Sequence, residues 1–186
     1  MNSKKIVVTG APGTGKTSII KGLEKSGFYC FHEVIRNMTA AAKHDRGSSQ
    51  PTTNPLLFVK DPYQFNTGLL KARIADFVDA DRLQKKVCFF DRGIPDVLAY
   101  MDYFKQEYED HFIMACELNR YEKVLLLPPW KEIYVSDNER LESFSEAEDI
   151  HEHLVETYSG FGYSLIEVPK RPVQERIDFI IKKLAL

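Results

Sequence analysis

The sequence has little of what marks several protein classes. Its three cysteines, Cys30, Cys88 and Cys116, are odd in number and widely separated, with no C-x-x-C spacing, so no disulfide framework is expected. That usage predicts a reduced, cytoplasmic setting. No apolar run approaches the roughly 18 residues that cross a bilayer, and Lys4-Lys5 lead straight into an apolar segment, so neither a membrane partner nor a signal peptide is expected. Charge of one sign is also missing: 25 basic against 27 acidic side chains leave a net −2 with no long run of either, which removes the electrostatic case for a nucleic-acid partner. Repeats and low-complexity tracts are absent. His151 and His153 stand one residue apart in a predicted helix and so point away from each other, which predicts a solvated surface rather than a metal site.

Hydrophobic residues at 44% and charged ones at 28% place the 186 residues among globular proteins, with one domain over 1–186 as the expectation. Within it, Ile6-Val7-Val8-Thr9 is an apolar, β-branched run that stops at Gly10-Ala11-Pro12-Gly13-Thr14-Gly15-Lys16-Thr17. The spacing G-x-x-x-x-G-K-[ST] has a mechanical basis. Gly10, Gly13 and Gly15 let the backbone turn and approach a ligand, and the loop amides with the following helix dipole make an anion site. Lys16 is expected on the β- and γ-phosphates of a triphosphate and the Thr17 hydroxyl on Mg²⁺, with Pro12, Thr14 and Ser18 completing the nucleotide contacts. An ordinary glycine-rich turn is the competing reading. The context favours the phosphate site, because a strand precedes the loop and a helix with Ile19, Ile20 and Leu23 follows it, ending at Ser26-Gly27.

Further strands are predicted at Phe28–Phe31, Val87–Phe90, Lys123–Leu127 and Tyr163–Val168. Helices between them carry Leu70, Ile74, Phe77 and Val78; open at Ile94-Pro95-Asp96; carry Ala147, Ile150, Leu154 and Tyr158 behind a Ser145/Glu148 capping box; and start at Pro172 with Val173, Ile177, Ile180, Ile181 and Leu184. Strands alternating with helices predict a three-layer α/β fold with a mainly parallel five-stranded sheet. In such a sheet, ligands sit beyond the carboxyl ends of the strands. Glu33, just past the second strand, and Asp91-Arg92-Gly93, at the end of the third, are therefore expected on the edge that holds the phosphate loop. Arg36 could share that edge, and Asp96 and Tyr100, at i and i+4, would share one helix face. The competing readings are a helix-start glutamate and a local ion pair at a turn. Residues 44–62 have a loop's composition and are the candidate flexible or closing segment.

Taken together, the phosphate loop, Glu33-Val34-Ile35-Arg36, Phe90-Asp91-Arg92-Gly93-Ile94-Pro95-Asp96, Leu127-Pro128-Pro129, Asp137-Asn138-Glu139-Arg140 and Val168-Pro169 resemble a family of stand-alone P-loop proteins often labelled AAA domain ATPases. That family looks like nucleoside and nucleotide kinases, nicotinamide-riboside kinase domains in particular. The resemblance implies a kinase-like P-loop NTPase fold binding ATP and Mg²⁺. It implies Asp91 or Glu33 as base or metal-side carboxylate, Arg92 and Arg36 on the substrate, Arg140 in a lid-like segment over 128–145, and Pro169 bordering adenine.

Two functions fit. One is a small-molecule kinase passing the γ-phosphoryl group of ATP·Mg to a nucleoside-like acceptor, with Lys16, Arg92 and Arg140 on the transferring phosphate, Glu33 or Asp91 on the acceptor proton, and Arg36, Asp96 and Tyr100 on the acceptor. The other is a regulatory ATPase or switch acting on a protein partner. The paired carboxylates and arginines at two strand ends favour the kinase. The acceptor and the oligomeric state are open at this point.

Overall fold

The computed structural model describes residues 3–34, 61–134 and 142–186. Five strands, β1 (Lys4–Gly10), β2 (Tyr29–Phe31), β3 (Val87–Asp91), β4 (Lys123–Leu127) and β5 (Leu165–Glu167), form one sheet in the order β2-β3-β1-β4-β5. Every pairing is parallel. β1 is central and apolar, with Ile6, Val7 and Val8 buried, as a strand covered on both faces must be. Its register sets Val8 beside Asp91 of β3 and Gly10 beside Leu127 of β4, so the carboxyl ends of the central strands finish together.

Among the described residues the helices are α1 (Lys16–Lys25), α2 (Pro62–Arg82), α3 (Pro95–Tyr103), α4 (Asp110–Leu118), α5 (Phe144–Gly160) and α6 (Val173–Lys183). They divide by the alternation of the strands. Ile6, Val8, Phe89, Leu125 and Leu127 face one core with Ile19, Ile20 and Leu23 of α1 and Ile177 and Ile180 of α6. Val7, Cys88, Phe90 and Val124 face the other with Leu69 and Leu70 of α2, Leu98 of α3, Phe112 of α4 and Leu154 of α5. Burying apolar side chains on both faces at roughly 25 cal/mol per Å² is what holds the three layers together. The cysteines sit in these cores, unpaired. No described helix is long and apolar enough to cross a membrane.

Several details depart from the sequence reading. The capping box of α5 is Ser143 with Glu146, not Ser145 with Glu148, because the helix starts at Phe144 and the hydroxyl must sit at the cap to reach the third amide. Val78 of α2 faces solvent, whereas Leu70 is buried and Ile74 and Phe77 pack on the core. Asp61 caps α2 and Pro62 opens it, so the loop expected over 44–62 ends in a helix start; its residues 44–60 lie outside the described residues. His151 is half-buried rather than solvated.

Candidate functional site

Gly15 caps α1 in the left-handed region at φ 85° and no side chain bonds the helix start. The first amides of α1 are thus left for an anion, and the helix dipole favours one. A Cβ on Gly13 would come within 2.5 Å of the Tyr134 ring and one on Gly15 within 2.7 Å of Arg176 Nη2, and with φ at 78° and 85° a side chain at either position is strained. Lys16 Nζ folds into the loop and donates to the carbonyls of Gly10 at 2.7 Å and Ala11 at 2.8 Å. Burial, with Arg92 adding to it, pulls the Lys16 amine down to about 7, against the opposing pull of Glu33, Asp91 and Asp96. Thr14 Oγ1 donates to Ala11 O, the Ser18 amide to Gly15 O, and Pro12 and Thr17 are half-buried along the same turn.

Beside the loop, Asp91 ends β3 and Glu33 follows β2. Arg92 joins them to the rest of the site. Its backbone is left-handed at φ 74°, a conformation that costs a non-glycine residue about 1–3 kcal/mol and persists only where its surroundings enforce it. Arg92 Nε donates to Glu33 Oε1 at 2.7 Å and Nη1 to Asp96 Oδ1 at 3.2 Å and Gly10 O at 3.4 Å. The guanidinium lies 5.0 Å over the Tyr100 ring. Burial alone would raise Glu33, but Arg92, Lys16 and Arg73 outweigh it and hold the carboxyl below its usual range. Burial works against charge on Arg92 too, yet the groups around it hold its pKa well above the ordinary value.

Asp96 is almost wholly enclosed at 1% exposure, where Thr9, Arg92, Tyr158 and the Gly93 amide all donate to its carboxylate. Tyr100, expected on the same face, lies under Arg92. Burial raises its phenol to about 12, so it stays neutral.

A small, narrow cleft opens at the ends of β2 and β3, lined by Phe31, His32, Phe90, Asp91, Arg92 and Tyr121 with Arg73 and Asp76 of α2. Pro169 opens the turn after β5, on the edge that carries the loop; Val168 before it donates to Leu126 O at 2.9 Å. Arg36 and Arg140 lie outside the described residues, as do 135–141 of the segment expected over 128–145. The described ends of that segment are a 3₁₀ turn at Lys131–Ile133 and the start of α5, and Tyr134 Oη donates to Glu142 O between them.

Sequence reading missed Thr9, Arg73, Tyr134, Tyr158 and Arg176. Arg73 donates to Gly93 O, and Arg176 Nη1 to Thr14 O at 2.9 Å with its guanidinium 5.8 Å from the Trp130 ring. Both arginines had a signal: each interrupts the apolar stripe of its helix, Arg73 between Leu70, Ile74 and Phe77, and Arg176 between Val173, Ile177 and Ile180. A buried arginine on such a stripe has to be paired.

The donor chemistry suits a triphosphate with a hard divalent cation. Hydroxyl and carboxylate oxygens are Mg²⁺ donors, and no group of three His, Cys, Asp or Glu among the described residues could hold a metal alone.

The model of a family described as an AAA domain matches residues 5–176. A search of curated protein sequences finds no match. Among solved structures, the deoxyadenosine kinase of M. mycoides, described with dCMP and dCDP, superposes with a TM-score of 0.70 at 17% identity, over 97% of this chain and 98% of that one. The NadR protein in complex with NR gives a TM-score of 0.72 at 15% identity, over 99% of this chain and 51% of that one. Thymidylate kinase from Ehrlichia chaffeensis gives 0.62 at 13%, over 99% and 100%. At these identities the likeness is one of fold: a P-loop, kinase-like α/β architecture. The match over residues 5–176 makes this chain a member of the AAA domain family.

Proposed function

We propose that the protein is an ATP·Mg-dependent phosphotransferase that passes the γ-phosphoryl group to a hydroxyl or phosphate of a nucleoside-like metabolite. The observation that carries this is Arg92 held between Glu33 and Asp96 within hydrogen-bonding reach of the phosphate loop, with Lys16 in the loop itself. A protein that only binds nucleotide has no need of a second carboxylate–arginine pair at that place.

In this reading the loop amides and Lys16 take the β- and γ-phosphates, Thr17 and Asp91 would hold Mg²⁺, which supplies charge neutralisation when bound, and Pro169 borders the base. The acceptor binds at the cleft, and Arg36 and Arg140 are the further substrate and phosphate contacts that the family resemblance implies. Glu33 is ionised and takes the proton of the acceptor hydroxyl as its oxygen bonds to the γ-phosphorus. The bond to the β,γ-bridging oxygen breaks and ADP leaves. Arg92 holds Glu33 in place and adds positive charge beside the transferring group, an effect that acts most strongly in a buried site.

The test is phosphoryl transfer in Glu33→Gln, Asp91→Asn and the double variant. General-base loss predicts a fall of about 10²- to 10⁴-fold for Glu33→Gln with nucleotide affinity kept. Asp91→Asn should raise the Mg²⁺ concentration needed for half-maximal transfer. A double variant that transfers at the parent rate contradicts the assignment. Phosphate release that ignores every added metabolite would favour the regulatory ATPase instead.

A further inference from the structure

We infer that Thr9, Asp96 and Tyr158 are positioning residues for the proposed reaction: a buried set that fixes the Arg92 guanidinium against Glu33 and contacts no substrate. This rests on the function proposed above and goes beyond it, since it turns Asp96 from a substrate contact into the anchor behind the arginine.

The lone pairs of one carboxylate carry the argument. An ionised carboxylate accepts about four hydrogen bonds. At Asp96, Oδ1 receives the Thr9 hydroxyl at 2.6 Å and Arg92 Nη1 at 3.2 Å, and Oδ2 receives the Tyr158 hydroxyl at 2.6 Å and the Gly93 amide at 2.8 Å. All four places are taken by the protein. The protonation states agree with that direction of donation. Burial would raise Asp96, but Arg73, Arg92 and the bonds from Thr9 and Tyr158 outweigh it and keep it ionised, while burial and Asp96 itself drive the Tyr158 phenol far above its usual range.

Besides Arg92, the three other donors come from three parts of the fold. Thr9 immediately precedes the phosphate loop on β1, Gly93 is the turn after β3, and Tyr158 reaches in from α5, the helix that follows the 135–141 segment. Gly93 is needed for that reach: a Cβ there would lie 2.5 Å from the Tyr158 hydroxyl and 2.9 Å from Val7. The Asp-Arg-Gly triplet therefore has one function per position. Asp91 and Arg92 face the site, and the glycine leaves room for the tyrosine that fixes the anchor. Arg92 in turn bridges this anchor to Glu33.

The experiment uses the full chain in four variants: Thr9→Val, which removes the hydroxyl at constant shape; Thr9→Ser, which restores it; Tyr158→Phe; and Lys16→Ala as the activity control. ADP formation, nucleotide binding and the ¹⁵N-resolved exchange of the Arg92 Nε proton are measured on each. The inference predicts that Thr9→Val and Tyr158→Phe lower kcat about tenfold with nucleotide affinity within about twofold of the parent, and that Thr9→Ser recovers most of the loss. The Arg92 Nε proton should exchange about tenfold faster in the two defective variants, because a loosened anchor releases its bond to Glu33. Parent-like kcat and parent-like exchange in folded Thr9→Val overturn the inference, whatever its melting temperature. Lys16→Ala separates the two readings. If it turns over like the parent, the proposed function fails, and the proton-exchange arm still decides whether the anchor holds the arginine.

Discussion

Arg92 combines a left-handed backbone, a buried guanidinium and three hydrogen-bond partners, and each of these depends on the others. Its planar fork meets Glu33 through Nε and Asp96 through Nη1, two separated donors in one fixed geometry that the single nitrogen of a lysine does not reproduce. Arg92→Lys is accordingly predicted to lower phosphoryl transfer by at least about tenfold while keeping the charge count, measured as kcat for ADP formation. Asp76, in the cleft, gives a second prediction. Burial, with Asp79 beside it, raises its carboxyl from 3.8 to about 6 against the opposing Arg73. The folded protein therefore holds a proton that the unfolded chain has already released between those values, and stability falls as pH rises through that window. Asp76→Asn should remove the fall, with melting about 2 °C higher than the parent near neutral pH and equal to it near pH 4. The Asp91-Arg92 pair was legible in the sequence because its residues are adjacent at a strand end. Tyr158 and Thr9 were not, since packing brings them to Asp96 across 62 and 87 residues of chain.

At the scale of elements, the reading succeeded where one periodicity acted alone. β1, β3 and β4 are short apolar runs that end at turn residues, and α1 and α6 carry clear apolar stripes, so their places were readable. α4 was missed. Its Phe112, Ala115 and Cys116 are buried while Met114 and Leu118 are exposed, so apolar residues lie all round and the stripe is blurred. The two candidate caps of α5 make a sharp comparison. Ser143→Ala should cost about 1 kcal/mol because it leaves the Glu146 amide without its acceptor, whereas Ser145→Ala, an exposed change in the first turn, should cost a few tenths at most. Thermal melts of the two variants would reverse in order if the helix started two residues later.

Across the whole molecule, a parallel sheet gathers sequence-distant chemistry at one edge. The phosphate loop follows β1, Glu33 follows β2, and Asp91 and Arg92 close β3, and parallel pairing alone brings these ends together. That is why fold and edge were readable from strand–helix alternation before any coordinate. The walls of the site were less so, because Arg73, Tyr134 and Arg176 arrive from helix faces and turns whose docking no local pattern encodes. The central claim, that this edge transfers a phosphoryl group, is tested most directly by following ADP and free phosphate together with ATP·Mg over a panel of nucleosides, nucleotides and related metabolites, with Lys16→Ala as the blank. The account predicts at least one nucleoside-like compound that raises ADP formation in the parent without matching free phosphate, and no such rise in Lys16→Ala. ADP and phosphate appearing in equal amounts whatever is added would contradict it.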